Sequence, residues 1–227
     1  MDATAWDELY ARTELVWGAP PNSTVVEQVF GLERRFPGGE GKPELPRVLD
    51  LGCGEGANAM WLATHGWQVD AVDFAQVAID KGRTVASRLS RSVRNRIRWF
   101  CADVTDLDAA GLTGPYELVL MAFVQLPARQ RRKLLLRAAD MLTEEGVLLV
   151  LGHDPRNLTE GYGGEQDPGL LFTPEDIVAD LAAAGDAVRV RTAEHVRRPT
   201  EDRDAIDALV VATRPAPEPE EPAELEQ

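Results

Sequence analysis

The stretch that decides the fold reads Val48-Leu49-Asp50-Leu51-Gly52-Cys53-Gly54-Glu55-Gly56-Ala57-Asn58. Its first part is apolar apart from Asp50 and predicts a buried strand over Val48–Cys53. The three glycines predict a turn, because a residue without a Cβ lets the backbone approach another group closely. Ala57–His65 then has helical periodicity and ends at Gly66, a residue typical of helix ends.

Apolar strands and amphipathic helices continue to alternate downstream of this turn. Further strands are predicted over Gln68–Asp73, Ile97–Asp103, Glu117–Phe123, Val147–His153, Ala187–Thr192 and Ile206–Thr213. Further helices are predicted over Gln76–Leu89, Ala128–Leu142 and Pro174–Ala184. This order predicts a doubly wound α/β fold with a seven-stranded, mostly parallel sheet and a ligand site at the carboxyl ends of its strands. The last two strands have no helix between them, so they predict a hairpin with an antiparallel last strand.

The two ends of the chain differ in composition from this central domain, predicted over residues 47–214. Residues 1–46 predict a helical leader, with helices over 2–14 and Thr24–Leu32 and a loop over Pro37–Pro46. Residues 215–227 are rich in proline and glutamate, which predicts a disordered acidic tail.

Composition narrows the classes of partner. A formal net charge of −14 argues against a nucleic-acid or anionic-membrane partner, because it repels phosphate groups. No apolar run approaches the roughly 18 residues of a membrane span, and the first residues lack a signal peptide's apolar core. A cytoplasmic location is therefore expected. Cys53 and Cys101 form no metal-ligating pattern, so neither a metal site nor a disulfide framework is predicted.

Acidic residues end the first three predicted strands, at Asp50, Asp73 and Asp103. The glycine spacing also fits a dinucleotide-binding turn, but Asp50 would repel a pyrophosphate there and attract a ligand with an ammonium group. An acid at Asp73 suits ribose hydroxyls, and one at Asp103 suits an adenine amino group. Each feature alone also fits a plain turn or a solvated strand end, whereas their order and spacing favour a ligand site.

Together these features resemble the consecutive motifs of class I S-adenosylmethionine-dependent methyltransferases, from about Arg47 to Gly152. The resemblance implies S-adenosylmethionine as cofactor, with its methionine part at the glycine turn, its ribose at Asp73 and its adenine at Asp103. The cofactor-site residues that it implies are Trp17, Asp50, Gly52, Cys53, Gly54, Gly56, Asn58, Asp73, Phe74, Asp103, Val104, Met121 and Ala122.

The leader carries a second, shorter resemblance. The runs Trp6–Tyr10 and Leu15–Gly18 are similar to the leader of small-molecule methyltransferases related to thiopurine and tellurite methyltransferases. In that group the leader folds over the cofactor cleft, which implies a small-molecule methyl acceptor. The same aromatic residues also fit the apolar face of an ordinary helix.

Methyl transfer mainly requires positioning and exclusion of water, with a base only where the acceptor loses a proton. His153 and Asp154, just past the fifth strand, are the predicted catalytic residues. The predicted pocket residues are Tyr10, Gln125 and Tyr162. His153 also fits a role in shaping the strand end. Asp154–Phe172 has no regular periodicity and is predicted to form a mobile lid over the acceptor.

Several alternatives stay open. The basic residues Arg129, Arg131, Arg132 and Lys133 fit either recognition of an anionic substrate or, more simply, a solvated helix face. An NAD(P)-dependent oxidoreductase, a non-catalytic adenosylmethionine-binding module and a methyltransferase acting on protein or nucleic acid are the other functional readings. The sequence leaves the acceptor and the oligomeric state open.

The composition of the tail leads to a first prediction. Deleting residues 215–227 should leave the thermal unfolding midpoint and the activity nearly unchanged, because the segment has almost no apolar surface with which to pack. Thermal denaturation of the truncated protein beside the full chain measures this. A large fall in the midpoint would show that the tail packs on the folded domain.

Overall fold

The computed structural model describes residues 3–12, 20–36, 45–200 and 202–216, which form a single seven-stranded sheet with helices. The strands are β1 (Arg47–Leu51), β2 (Gln68–Asp73), β3 (Ile97–Cys101), β4 (Tyr116–Ala122), β5 (Leu142–His153), β6 (Arg189–Arg198) and β7 (Ala205–Thr213). The α-helices are α1 (Ala3–Ala11), α2 (Ser23–Val29), α3 (Ala57–Thr64), α4 (Gln76–Ala86), α5 (Arg91–Arg94), α6 (Ala128–Asp140) and α7 (Pro174–Leu181).

The strand order across the sheet is β3-β2-β1-β4-β5-β7-β6. Strands β1 to β5 pair in parallel, and β7 runs antiparallel to both of its neighbours. The order reverses between β1 and β4, where a crevice opens at the carboxyl ends of the strands. The predicted fold class and the predicted closing hairpin are confirmed.

The core consists of two layers, because successive side chains of a strand point to opposite faces of the sheet. One layer contains Leu49, Val119 and Leu148, and the other contains the adjacent Val48, Leu118 and Leu149, all of them buried. Helices cover both layers, so the central strands are apolar nearly throughout.

Capping side chains fix the starts of two helices. The Asn22 side chain accepts hydrogen bonds from the backbone N–H groups of Thr24 and Val25 and so caps α2. Thr173 and Asp176 form a reciprocal capping box at the start of α7. These caps satisfy backbone donors that have no partner inside the helix.

Two strands are longer than predicted. β5 begins at Leu142 rather than Val147, through an irregular stretch in which Glu145 has a positive φ of 59°. β6 continues to Arg198 rather than ending at Thr192. Pairing with β7 stabilises the extension of β6 at the edge of the sheet. Its charged side chains face solvent there, so the sequence lacks the apolar pattern from which a strand is predicted.

Two kinds of feature are absent from the described residues. None of their helices has the length and apolar character that a membrane crossing demands. Their His, Cys, Asp and Glu side chains do not gather into a cluster suited to a metal ion.

One basic residue of α6 departs from the sequence interpretation. Arg131 is buried rather than solvated, and its Nε donates to Asp180 Oδ2 on α7 over 2.9 Å. Its guanidinium also lies over the Phe172 ring, 5.2 Å from the centroid. Arg132 bonds the other oxygen of Asp180 at 2.8 Å. Arg131 therefore joins α6 to α7 inside the protein and is not available to an anionic substrate.

This pair gives a prediction about stability. Asp180→Ala should lower the free energy of unfolding by roughly 3–5 kcal/mol, because it leaves the Arg131 guanidinium buried without its partner. Chemical denaturation measures the change. As a control, Arg129→Ala on the exposed side of α6 should change it by less than about 0.5 kcal/mol. Equal losses in the two variants would contradict a structural role for the pair.

Candidate functional site

The glycine turn joins β1 to α3 with an unusual backbone. Gly52, Gly54 and Gly56 have φ values of 67°, 54° and 80°, a region that residues with a side chain seldom adopt. A Cβ on Gly52 would lie 2.7 Å from Val124 Cγ2, and one on Gly54 would lie 2.8 Å from the Tyr10 hydroxyl. A Cβ on Gly56 would lie 2.2 Å from Cη2 of the Trp99 indole. The absence of a Cβ at these glycines thus leaves room for side chains from other parts of the chain. The local sequence does not show that these side chains pack there.

Asp50, near the end of β1, is the least neutralised acid of the site. It is 1% exposed, and within the described residues its Oδ2 atom has no hydrogen-bond partner. Burial, with a smaller contribution from Asp73, raises its pKa to about 7. A buried carboxylate is costly unless a cationic group meets it, so this position favours a ligand with a positive charge.

Asp73 links two turns of the site. Its Oδ2 accepts from the Gly54 N–H at 2.8 Å and its Oδ1 accepts from the Ala75 N–H at 2.9 Å. Burial raises the pKa of Asp73, and the charge of Asp7 adds to the rise. A carboxylate has about four acceptor positions, so two hydrogen bonds leave capacity for further donors.

Four other predicted cofactor-site residues, Cys53, Asn58, Phe74 and Trp17, differ in their surroundings. Burial raises the pKa of Cys53 well above its usual value, so it stays a thiol. The side-chain oxygen of Asn58 accepts from the Asn22 N–H at 3.0 Å, which ties α3 to the start of α2. Phe74 packs beside the contact between α1 and α4. Trp17 lies outside the described residues.

Helix α1 lies against the glycine turn and α4. The Asp7 Oδ1 atom accepts from the Val77 N–H at 2.9 Å, in the first turn of α4. The Lys81 ammonium donates to the Tyr10 carbonyl and lies 3.5 Å from Glu55 Oε1. Tyr10, predicted to line the acceptor pocket, is buried, and its hydroxyl lies over Gly54. Its role in an acceptor pocket remains a prediction. That α1 covers the cofactor cleft remains a prediction.

An open cleft of about 490 Å³ lies at the carboxyl end of β3. It is lined by Trp99, Phe100, Cys101, Ala102, Asp103, Asp106, Ala109 and Ala110. Asp103 Oδ1 accepts from both the N–H and the hydroxyl of Thr105, each at 2.8 Å. The next residue, Val104, is half-buried in the same short turn. The cleft has the size of a small-ligand site.

The carboxyl ends of β4 and β5 hold a group that sequence reasoning found only in part. His153 Nδ1 lies 3.1 Å from Oδ1 of the fully buried Asp207, and Arg198 Nε donates to Asp207 Oδ2 at 2.8 Å. Phe123 has a positive φ of 59°, and its ring centroid is 4.6 Å from that of His153. The signal for Asp207 is its interruption of the apolar run of β7.

The other residues at the end of β4 border this group. Met121 is buried, while Ala122 and Gln125 are half-buried on either side of Phe123. The predicted cofactor contacts of the backbone at Met121 and Ala122, and the predicted pocket role of Gln125, remain predictions.

Asp154 is held differently from His153. It is fully buried, its Oδ2 lies 2.6 Å from His195 Nδ1, and its Oδ1 accepts from the Arg156 N–H at 2.8 Å. Both oxygens are therefore engaged within the fold. A catalytic role for Asp154 remains a prediction, and this geometry favours His153 for it.

The predicted lid is anchored at its start. Pro155–Leu158 forms a 3₁₀ turn that the sequence pattern did not indicate. Buried Asn157 accepts from the Ile206 N–H at 2.8 Å and donates to the Gly163 carbonyl at 2.7 Å, which ties the segment to β7. Tyr162 is 45% exposed beyond this anchor. Movement of the segment on ligand binding remains a prediction.

Comparison with known proteins finds similarities over part of the sequence and over the fold. Residues 48–146 match the family model described as a methyltransferase domain. Together with the fold, this match supports the predicted superfamily, the class I S-adenosylmethionine-dependent methyltransferases. The structure is also similar to the N-methyltransferase NodS of Bradyrhizobium japonicum WM9, solved with S-adenosyl-L-homocysteine. The two share 18% identity over 94% of this chain and 98% of that chain, with a TM-score of 0.64, which is a likeness of fold.

Two curated proteins match shorter segments. One is Hemagglutinin 1 of Eikenella corrodens, 35% identical over 78 residues, which are 34% of this chain and 24% of that protein. The other is the ribosomal RNA small subunit methyltransferase C of Alcanivorax borkumensis, 51% identical over 39 residues, 17% of this chain and 11% of that protein. The chain thus spans a quarter or less of the curated relatives that it matches.

The buried charge at Asp50 predicts a pH-dependent effect on stability. Its pKa is raised from the ordinary 3.8 to about 7, so between these values the folded state binds more protons than the unfolded state. Its contribution to the free energy of unfolding therefore falls as pH rises from about 4 to about 7. Asp50→Asn removes this loss, so its stability relative to wild type should rise with pH, by on the order of 4 kcal/mol at most.

Urea denaturation of wild type and Asp50→Asn at several pH values between 4 and 8 measures this difference. The variant Asp140→Asn, at an exposed position, controls for the loss of a carboxylate in general. An Asp50→Asn difference that is constant with pH would contradict the raised pKa.

Proposed function

We propose that this chain is an S-adenosylmethionine-dependent methyltransferase that transfers a methyl group to a small-molecule nucleophile. The observation that carries the proposal is the buried Asp50 carboxylate, whose Oδ2 atom has no partner among the described residues. It lies beside a glycine turn at the point where strand order reverses. The methionine part of S-adenosylmethionine carries the ammonium group that such a position requires.

The other residues present fit the rest of that cofactor. Asp73 keeps acceptor capacity for ribose hydroxyls after its two backbone hydrogen bonds. Asp103 and Val104 border the cleft at the end of β3, which suits an adenine ring. Bound there, the cofactor supplies an electrophilic methyl group on a sulfonium.

The chain contributes positioning, exclusion of water and proton transfer. Tyr10 covers the glycine turn from α1, which keeps solvent from this side of the site. Binding both reactants in line supplies much of the rate enhancement for a displacement of this kind. His153 is the best-placed base for an acceptor that loses a proton, and Tyr162 is suited to cover that acceptor.

The charge of the chain favours a small-molecule acceptor over nucleic acid. The net charge of −14 repels a phosphate backbone, which argues against nucleic acid even though one partial relative acts on ribosomal RNA. The aromatic leader supports placement near the thiopurine and tellurite methyltransferases. The alternative of an NAD(P)-dependent oxidoreductase is disfavoured by Asp50, which would repel a pyrophosphate at the turn.

Calorimetry with S-adenosylmethionine and S-adenosylhomocysteine tests the proposal. Wild type should bind both, and Asp73→Ala and Asp50→Asn should each weaken binding about tenfold or more, since each removes a buried partner of the ligand. The exposed Asp140→Asn variant should bind as wild type does.

An acceptor screen with labelled S-adenosylmethionine, over thiols, phenols, amines and chalcogen oxyanions, then separates an enzyme from a non-catalytic binding module. Undetectable binding by the wild type would contradict the whole proposal. Binding without turnover of any acceptor would favour the module.

A further inference from the structure

Two His–Asp pairs lie together where β5 ends, and in the described part of the chain Nε2 of His153 has neither a hydrogen bond nor an ion pair. His153 pairs with Asp207, and His195 pairs with Asp154. We infer that Asp207 is a positioning residue that fixes the tautomer of His153, so that its Nε2 atom takes a proton from a hydroxyl or thiol acceptor. This inference rests on the proposed function and adds to it the chemical class of the acceptor.

The hydrogen bonds at Asp207 have a defined direction. Asp207 is fully buried on β7, directly across from His153 in the strand register. Arg198 donates to its Oδ2 atom at 2.8 Å, and a guanidinium has no acceptor to offer in return. The carboxylate is therefore an acceptor on both oxygens. The ring nitrogen facing Oδ1, Nδ1 of His153, must be the donor.

This pairing determines what the far side of the ring presents. A neutral imidazole carries one proton, so a proton on Nδ1 leaves Nε2 with a free lone pair. Within the described part of the chain, Nε2 of His153 has no hydrogen-bond partner. The His153 side chain is 11% exposed, and Gly164 lies beside its Nε2 edge, so a reactant that reaches Nε2 has to enter next to that glycine.

The ring is also held in place by its neighbours. Phe123, in a conformation costly for an aromatic residue, lies on one side with ring centroids 4.6 Å apart. Gly164 lies on another side, where a Cβ would come within 2.6 Å of the imidazole. The Arg198 guanidinium also lies over the Phe123 ring, 5.3 Å from the ring centroid. Strain and close packing at one side chain are typical of a preorganised site.

The charged groups around His153 are few. Asp207 from β7 pairs with the ring, and Arg198 from β6 pairs with Asp207. Phe123 and Gly164 pack against the ring, and Glu165 follows Gly164 in the chain. The neighbouring Asp154 is engaged by His195 and by a backbone N–H.

The second pair provides a matched comparison. His195 Nδ1 lies 2.6 Å from Asp154, but its Nε2 lies 4.0 Å from the exposed Glu175 carboxylate. That nitrogen therefore faces a surface acid. His195 is the control residue for the experiments below.

The proposed chemical step transfers one proton and one methyl group. The O–H or S–H bond of the acceptor breaks, and its proton moves to Nε2 of His153. The electron pair of the acceptor atom forms a bond to the methyl carbon, while the bond between sulfur and methyl breaks and leaves its pair on sulfur. Asp207 stabilises the resulting imidazolium, and the proton later leaves to solvent.

Nitrogen NMR of the histidine rings tests the tautomer without any acceptor. In wild type at pH 8, His153 should carry its proton on Nδ1. In Asp207→Asn, the amide oxygen should face Arg198 and the amide NH₂ should face His153, which moves the proton to Nε2. A wild-type ring with a bare Nδ1 would overturn the inference, even if the variant failed to fold.

Turnover tests the consequence, with a substituted phenol and an alkanethiol as acceptors and pyridine as a nucleophile without a transferable proton. Asp207→Asn and His153→Gln should lower kcat for the proton-bearing acceptors by about 10²–10⁴-fold and leave cofactor affinity within about twofold. The acid limb of the pH–rate profile should disappear in His153→Gln. His195→Gln should keep the wild-type rate.

Three results would overturn the inference: wild-type kcat in Asp207→Asn, pyridine methylated as fast as the phenol or thiol, or no turnover of either proton-bearing acceptor. Calorimetry separates these from failure of the proposed function. If wild type binds no S-adenosylmethionine, the proposed function fails; if it binds and one of these results is seen, only the role of Asp207 and His153 fails.

Discussion

The geometry of the site depends on the Asp73 carboxylate, which connects two of its turns by hydrogen bonds. Its two oxygens accept from Gly54 in one turn and from Ala75 in the next, so two loops from different strands have one fixed separation. Helix α1 packs on both loops, through Tyr10 over Gly54 and Asp7 at Val77. The Asp73 carboxylate thus connects the glycine turn, the turn after β2 and, through them, the helix that packs above.

Asp50 stands out against the other buried aspartates of the described residues. Asp70 meets Arg47, Arg98 and the Tyr116 hydroxyl, Asp180 meets Arg131 and Arg132, and Asp207 meets Arg198 and His153. Asp154 has His195, and Asp73 has backbone N–H groups. The protein thus neutralises or bonds its buried acids as a rule. An exception at the crevice of the sheet indicates a site completed from outside the chain.

The sequence predicted the features that depend on local order. The strand and helix periods predicted the α/β sheet, and the predicted strand ends put Asp50, Asp73 and Asp103 at its carboxyl edge. Features that depend on residues distant in the chain were missed. Arg131 has the local pattern of a surface residue, but α7 brings Asp180 onto it. Likewise, nothing near His153 in sequence announces Asp207, which reaches it from another strand.

The antiparallel direction of β7 has a consequence for how such a site can change. Parallel strands bring only their last residues to the crevice, whereas β7 brings its first ones, directly after the short connection from β6. Substitutions or length changes in that connection therefore reach the His153 side of the crevice without altering the glycine turn or Asp73. One hairpin can therefore change the His153 side of the crevice while the half of the sheet that carries Asp50 and Asp73 stays the same.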